Sequence, residues 1–190
     1  MAFTMIGPFL VAAQNPLLAS RSAAYVTGGM AGITALALLL IQPLLAAGYL
    51  PGVRPAVLRR WHKWVGIALV SAVAVHVGGL YLTSPPDALD ALLLVSPTPF
   101  SVYGVVSMWA VVLTAILVAA RHKLRLKPTT WKITHNLLAL AVVIGAVVHA
   151  LMIEGAMGAT SKIALCICVL ATTGITIFHL RILRPLSRRP

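Results

Sequence analysis

The sequence predicts an all-α fold, a polytopic membrane helix bundle, and three observations carry that prediction. Hydrophobic residues fill 60% of the 190 positions and charged ones only 9%, with a mean hydropathy of +0.98, outside the range of soluble domains. Runs free of Asp, Glu, Lys and Arg cover 22–53, 64–86, 91–120, 133–153 and 163–180, and a helix needs about 20 apolar residues to cross the hydrocarbon core. The charges are sorted between these runs by sign and by side.

Taken in order, residues 1–20 (MAFTMIGPFLVAAQNPLLAS) are uncharged but interrupted by Pro8 and by Gln14-Asn15-Pro16. They lack the basic segment of a signal peptide, so cleavage is not expected. A short or broken sixth helix, a re-entrant segment and an interfacial helix all fit them. In the first span Pro43 should kink the helix near its end, while Gly28, Gly29 and Gly32 offer a face for a close neighbour. The second and fourth spans carry paired histidines. Between the second and third, TSPPDALDALLLVSPTPFS (83–101) has turn residues at both ends and an apolar centre at 88–95 that is too short to span, which predicts a surface helix or flap at the periplasmic face. The fifth span is barely long enough. It holds Cys166 and Cys168, which point to different sides of a helix and read as small packing residues. No connection is long enough to fold alone. The chain therefore divides into an N-terminal segment 1–20, one transmembrane domain 21–185 and a basic cytoplasmic tail 186–190.

A net charge of +12 would suggest nucleic acid on a soluble surface, but its placement excludes that partner. Arg54, Arg59, Arg60 and Lys63 lie between the first and second spans, Arg121, Lys123, Arg125, Lys127 and Lys132 between the third and fourth, and Arg181, Arg184, Arg188 and Arg189 after the fifth. Arg21, Lys162 and all three acids, Asp87, Asp90 and Glu154, fall on the opposite side. The positive-inside rule makes the cation-rich side and the C-terminus cytoplasmic, with anionic lipid headgroups as the partner of those clusters.

Histidine is costly inside a membrane span, yet His62 and His76 occupy the second span and His135 and His149 the fourth, each pair 14 residues apart. At about 100° and 1.5 Å per residue, 14 residues bring both rings of a pair within roughly 40° of one face and roughly 21 Å apart along the axis. Both helices run from cytoplasm to periplasm, so His62 matches His135 in depth and His76 matches His149. Two neutral imidazoles across a gap are what a bis-histidine haem iron requires, and an iron removes the cost of burying a lone polar nitrogen. Zinc fits less well, because two ligands per level leave a tetrahedral site half empty. No C-x-x-C-H is present, which excludes covalent c-type attachment.

One turn from the histidines toward the membrane centre lie Gly66, Ala72, Ala139 and Gly145, small residues that leave room for a planar macrocycle. Arg59 and Lys132, each three residues before an inner histidine, are placed to meet the propionates of an inner haem. At the outer level that turn holds Gly79, Leu80, Met152 and Ile153, so outer propionates would rely on water, Tyr81, Thr83 or Lys162, and the outer haem has the weaker support. His122 and His179 read as snorkelling or solvated. Trp109, in the middle of the third span, falls at a depth between the two levels, but packing is the favoured reading of it. The plain alternative for the quartet is four ordinary bundle histidines bonded to backbone or to each other; matched register on two helices favours the ligand reading.

WHKWVGIALVSAVAVH and THNLLALAVVIGAVVH, each an H-x13-H helix and the first preceded by a cation-rich loop, resemble the ferric-reductase-like transmembrane domain. That superfamily includes the membrane halves of ferric reductases and NADPH oxidases and the membrane subunit of the periplasmic methionine sulfoxide reductase system. The resemblance covers roughly residues 25–180. It implies two b-type haems and six helices with ligands on the third and fifth, a count restored here if residues 1–20 supply a degenerate first helix. The family's flavin or nicotinamide domain does not follow the last span, so the resemblance implies electrons from another molecule, a quinol or a cytoplasmic flavoprotein, and a periplasmic acceptor or reductase subunit. The expected function is a dihaem b-type cytochrome of the bacterial inner membrane, an electron-transfer oxidoreductase component that carries electrons to the periplasmic side. The runners-up are a haem-containing anchor of a periplasmic reductase and a non-redox membrane scaffold or assembly subunit. The spans lack paired carboxylates or broken-helix repeats, which leaves a transporter without support.

Overall fold

The computed structural model describes residues 2–183; the tail expected at 186–190, with Arg184, Arg188 and Arg189, lies outside them. Seven α-helices follow one another: α1 (Ala2–Ala13), α2 (Ala23–Ala47), α3 (Pro55–Thr83), α4 (Pro85–Leu92), α5 (Pro99–Leu124), α6 (Pro128–Met152) and α7 (Ala159–Phe178), the last continuing into a π-helical turn at His179–Leu183. Among the described residues there is no strand. Proline opens α3, α4, α5 and α6, where its fixed φ suits the first turn and its missing N–H leaves no bond unmade.

Five helices, α2, α3, α5, α6 and α7 with its π-turn, are long and apolar enough to cross a membrane, and the chain is an integral membrane protein. Helix α1, with Pro8 inside it, is about 18 Å long at about 1.5 Å per residue, short of a core of about 30 Å. Residues Ala2–Ala13 thus form a short helix that does not cross the core by itself. After α1, Asn15 ties the chain across the bundle by donating Nδ2–H to the Ala156 carbonyl at 3.0 Å.

Three element boundaries differ from the uncharged runs, each for a local reason. Helix α2 stops at Ala47 because Gly48 takes the left-handed conformation, φ 77°, and returns its N–H to Leu44, a glycine C-cap that hydropathy does not register. The surface helix, α4, lies at 85–92, beginning and ending three residues before the expected apolar centre at 88–95, and Leu94 at φ 61° turns the chain away after it. Helix α7 begins at Ala159 and so includes Lys162, whose Nζ reaches back to the Ile153 carbonyl at 2.6 Å; the amine snorkels, and the short fifth run becomes a full span.

Helix α2 packs chiefly on α3, and α5 on α6, while α7 joins the two hairpins through α2 and α6 and α1 lies against α2 and α7. The α2–α3 crossing depends on Gly28 and Gly79: a Cβ on Gly79 would stand 2.7 Å from Gly28 Cα and 2.7 Å from the Ala24 carbonyl oxygen. In α5–α6, Gly145 lies against the Tyr103 carbonyl, and Ser107 donates its hydroxyl to the Val142 carbonyl at 2.9 Å. Lipid is as apolar as leucine, so such close contacts and interhelical hydrogen bonds supply the cohesion that exclusion of water supplies in soluble proteins. Leu40, Leu69, Val143, Val147, Leu165 and Val169 form the centre, together with Cys166. Cys166 and Cys168 are both unbridged. Leu82, Leu137 and Ile175 point outward, as lipid-facing side chains do.

Candidate functional site

The two hairpins bring the four histidines together in two levels. His62 on α3 faces His135 on α6 with ring centres 6.4 Å apart and planes at 72°; His76 faces His149 at 6.3 Å and 77°. A metal ion holds an imidazole nitrogen at about 2.0–2.1 Å, and that nitrogen stands about 1.1 Å from its ring centre, so two rings in line across one ion have centres about 6.2–6.4 Å apart. Both levels meet that spacing.

Backbone carbonyls orient three of the four rings. His76 donates Nδ1–H to the Gly28 carbonyl at 2.8 Å, His149 to the Phe100 carbonyl at 2.8 Å and His62 to the Gln42 carbonyl at 3.1 Å. A carbonyl only accepts, so Nδ1 carries the proton in each, and Nε2, across the ring, keeps a free lone pair. Metal-binding histidines are oriented in this manner.

The seats have a sequence requirement. A carbonyl within a helix already accepts from the residue four positions on, and an imidazole reaches it only across the side chain at that position. At the outer level both positions are glycine: a Cβ on Gly32 would stand 2.8 Å from His76 Nδ1, and one on Gly104 would stand 2.7 Å from His149 Nδ1. At the Gln42 seat the residue is Ala46. The antiparallel register that sets Phe100 against His149 would set Thr114 against His135, but four residues beyond Thr114 stands Val118, branched at Cβ.

His135 departs from the pattern. Its Nδ1 is buried with no hydrogen-bond partner, a state that costs about 1–3 kcal/mol. Its ring lies instead against Trp131, one turn earlier on α6, with centres 5.6 Å apart and planes 11° from parallel. The guanidinium carbon of Arg121 sits 4.8 Å from the centre of that indole.

The other expected residues fall as follows. Arg59 and Lys132 are exposed on the turn before His62 and His135, and Arg181 donates to the Lys132 carbonyl at 3.2 Å. Gly66 faces the Gln42 amide, with a Cβ there 3.2 Å from Nε2, and the space at Gly145 is taken by α5; both serve helix contacts. Ala72 is half-buried against the core, and Ala139 is half-buried. Trp109 is 53% exposed, so packing within the chain does not account for it. His122 is exposed at the end of α5. His179 is not solvated: it is half-buried, stacked on Tyr49 at 5.4 Å and hydrogen-bonded to the Tyr49 hydroxyl. Gln42, the Gly32 and Gly104 seats, Trp131 and the Tyr49–His179 pair were not picked out by sequence reasoning. Their one linear signal is that Gly104 follows Gly32 by nearly the interval at which His149 follows His76.

Among the described residues, no group of three or more His, Cys, Asp or Glu gathers to hold a metal; each level offers two imidazoles and nothing further. The family model described as ferric reductase like transmembrane component matches residues 29–146, more than half of the chain, taking in His62, His76 and His135 and ending just before His149. No curated protein and no solved structure matches the chain.

Proposed function

The chain belongs to the ferric reductase like transmembrane component family, and from that premise we propose that it is a dihaem b-type cytochrome carrying electrons across the membrane. The inner haem is held by His62 and His135 and the outer by His76 and His149. The observation that carries this reading is the ring spacing of 6.4 and 6.3 Å at two matched depths. The seated Nδ1 protons add support, since they leave an unprotonated nitrogen on each of three rings. Haem, held at each level by its two histidines, would supply outer-sphere one-electron transfer rather than binding of oxygen or substrate.

The residues of the chain do the rest. The Gly28, Gln42 and Phe100 carbonyls hold the ligand tautomer. Arg59 and Lys132, each three residues before an inner ligand, suit the propionates of the inner haem. By the charge map the inner level faces the cytoplasm, in a bacterial inner membrane, with the C-terminus on the same side. A quinol or a cytoplasmic flavoprotein would supply electrons there, and a periplasmic acceptor or reductase subunit would take them on the other face.

The test is haem content and absorption of the purified full chain. Two b-type haems per chain are expected, falling to one in His76→Ala and to one in His62→Ala, each variant keeping the haem of the other level. Colourless, iron-free protein would leave a scaffold or assembly role as the better account.

A further inference from the structure

Three of the four imidazoles are held at Nδ1 by a backbone carbonyl. Such a bond does two things: it fixes the tautomer, and it fixes the rotation of the ring about its ligand axis. His135 has neither constraint from the backbone, because its Nδ1 is buried without a partner. The register that would have offered it the Thr114 carbonyl places Val118, not glycine or alanine, at the residue four positions on. What touches the ring instead is a face. Trp131 lies 11° from parallel with it, and Arg121 stands over the indole. A cation is drawn to the indole face by the ring quadrupole, so Arg121 holds Trp131 where it is, from another helix.

We propose that Trp131 is the positioning residue of the inner ligand, setting the plane of His135 by stacking where carbonyls set the other three. This rests on the dihaem reading. A stack fixes the ring plane and leaves the Nδ1 proton unshared. His135 therefore gains no basicity from a hydrogen bond and would be the weakest donor of the four. The plane also matters for the iron's electronic state. The inner imidazoles stand at 72° and the outer at 77°, and near-perpendicular axial imidazoles give a ferric low-spin haem a strongly anisotropic EPR signal. Freeing the His135 plane changes that signal at one haem and not at the other.

Two substitutions in the full chain separate stacking from bulk. Trp131→Leu keeps apolar volume but offers no face, and Trp131→Phe keeps a face. In Trp131→Leu the inner EPR signal is expected to leave the near-perpendicular class, and one haem per chain, in the reduced protein, is expected to bind carbon monoxide. The outer signal should stand unchanged, and Trp131→Phe should restore the parental inner signal. Parental signals at both levels in Trp131→Leu, or loss of both haems, would overturn the proposal, the latter by making Trp131 a support of the bundle rather than of the ring. If Trp131→Leu does not accumulate, Arg121→Gln carries the test through a shift of the same sign at the inner haem alone; an unshifted line overturns it. Parental protein without either signal would sink the dihaem reading itself, and the proposal with it.

Discussion

At the outer level both imidazoles rest over a glycine and donate to a helix carbonyl, whereas at the inner level His62 does so over Ala46 and His135 leans on an indole. Yet the ring centres are 6.3 and 6.4 Å apart. The separation of the rings is thus a property of the two hairpins, and the anchoring of each ring sets orientation and proton position only. A second contrast runs the same way. Among the described residues four buried side-chain atoms lack a partner, Gln42 Oε1, His135 Nδ1, Thr173 Oγ1 and Thr176 Oγ1; Gln42 and His135 belong to the inner level, and no atom of the outer histidines is among them.

The largest effect that would break this comparison comes from filling a seat. Gly32→Val or Gly104→Val puts a branched side chain where even a Cβ would stand 2.7–2.8 Å from the ring nitrogen; overpacking of this kind costs about 1–3 kcal/mol or more. The expected outcome is protein with the inner haem and without the outer one, read by haem content and redox-difference spectra. Gly29→Ala, with nothing within 4 Å of the new Cβ, is the control and should keep both haems. Retention of the outer haem in both valine variants would show that the glycine seats are incidental.

A smaller effect sharpens the comparison. Arg59, Arg60, Lys63 and Lys132 each lie within three residues of an inner histidine, while Glu154 lies five residues beyond His149. Positive charge favours the reduced iron, and an unshared Nδ1 proton on His135 makes a poorer donor, which acts in the same direction. The inner haem is expected to have the higher midpoint potential, by on the order of 60 mV, one tenfold step for a one-electron couple. Electrons moving outward would then cross that bias and rely on the final acceptor. Redox titration of His62→Ala and His76→Ala, each retaining one haem, measures both potentials, and an outer haem well above the inner would show that burial overrides charge. The smallest effect concerns neither level. Ser107→Ala removes the bond to Val142 in the α5–α6 hairpin, and should lower thermal stability by about 0.5–1.5 kcal/mol with both haem spectra unchanged.

The spans and the pairing of the histidines were legible in the sequence because both follow from simple periodicity: uncharged runs of membrane length, and a 14-residue step on two helices of one direction. The ends of the elements were less so. Gly48 stops α2 inside an uncharged run, and Lys162 joins a span that its charge seemed to exclude. The seats were hidden for a different reason. A glycine that admits an imidazole and a glycine that admits a helix look alike in a chain, and here Gly32 and Gly104 do the first while Gly28, Gly79 and Gly145 do the second. Trp131 and His179 were hidden because ring stacking needs two helices or two turns to be placed before either partner has meaning.

The carbonyl anchors described above are all made within a hairpin, His62 and His76 on α2 and His149 on α5, while the facing of ring to ring crosses from one hairpin to the other. During synthesis this separates assembly into local and late events. Once α3 has entered the membrane beside α2, the first two imidazoles already have their carbonyl partners. The second hairpin repeats the operation on its own account, leaving His135 to Trp131 of the same helix. Joining the halves then requires no rearrangement of any seated imidazole, and α7 packs on both α2 and α6.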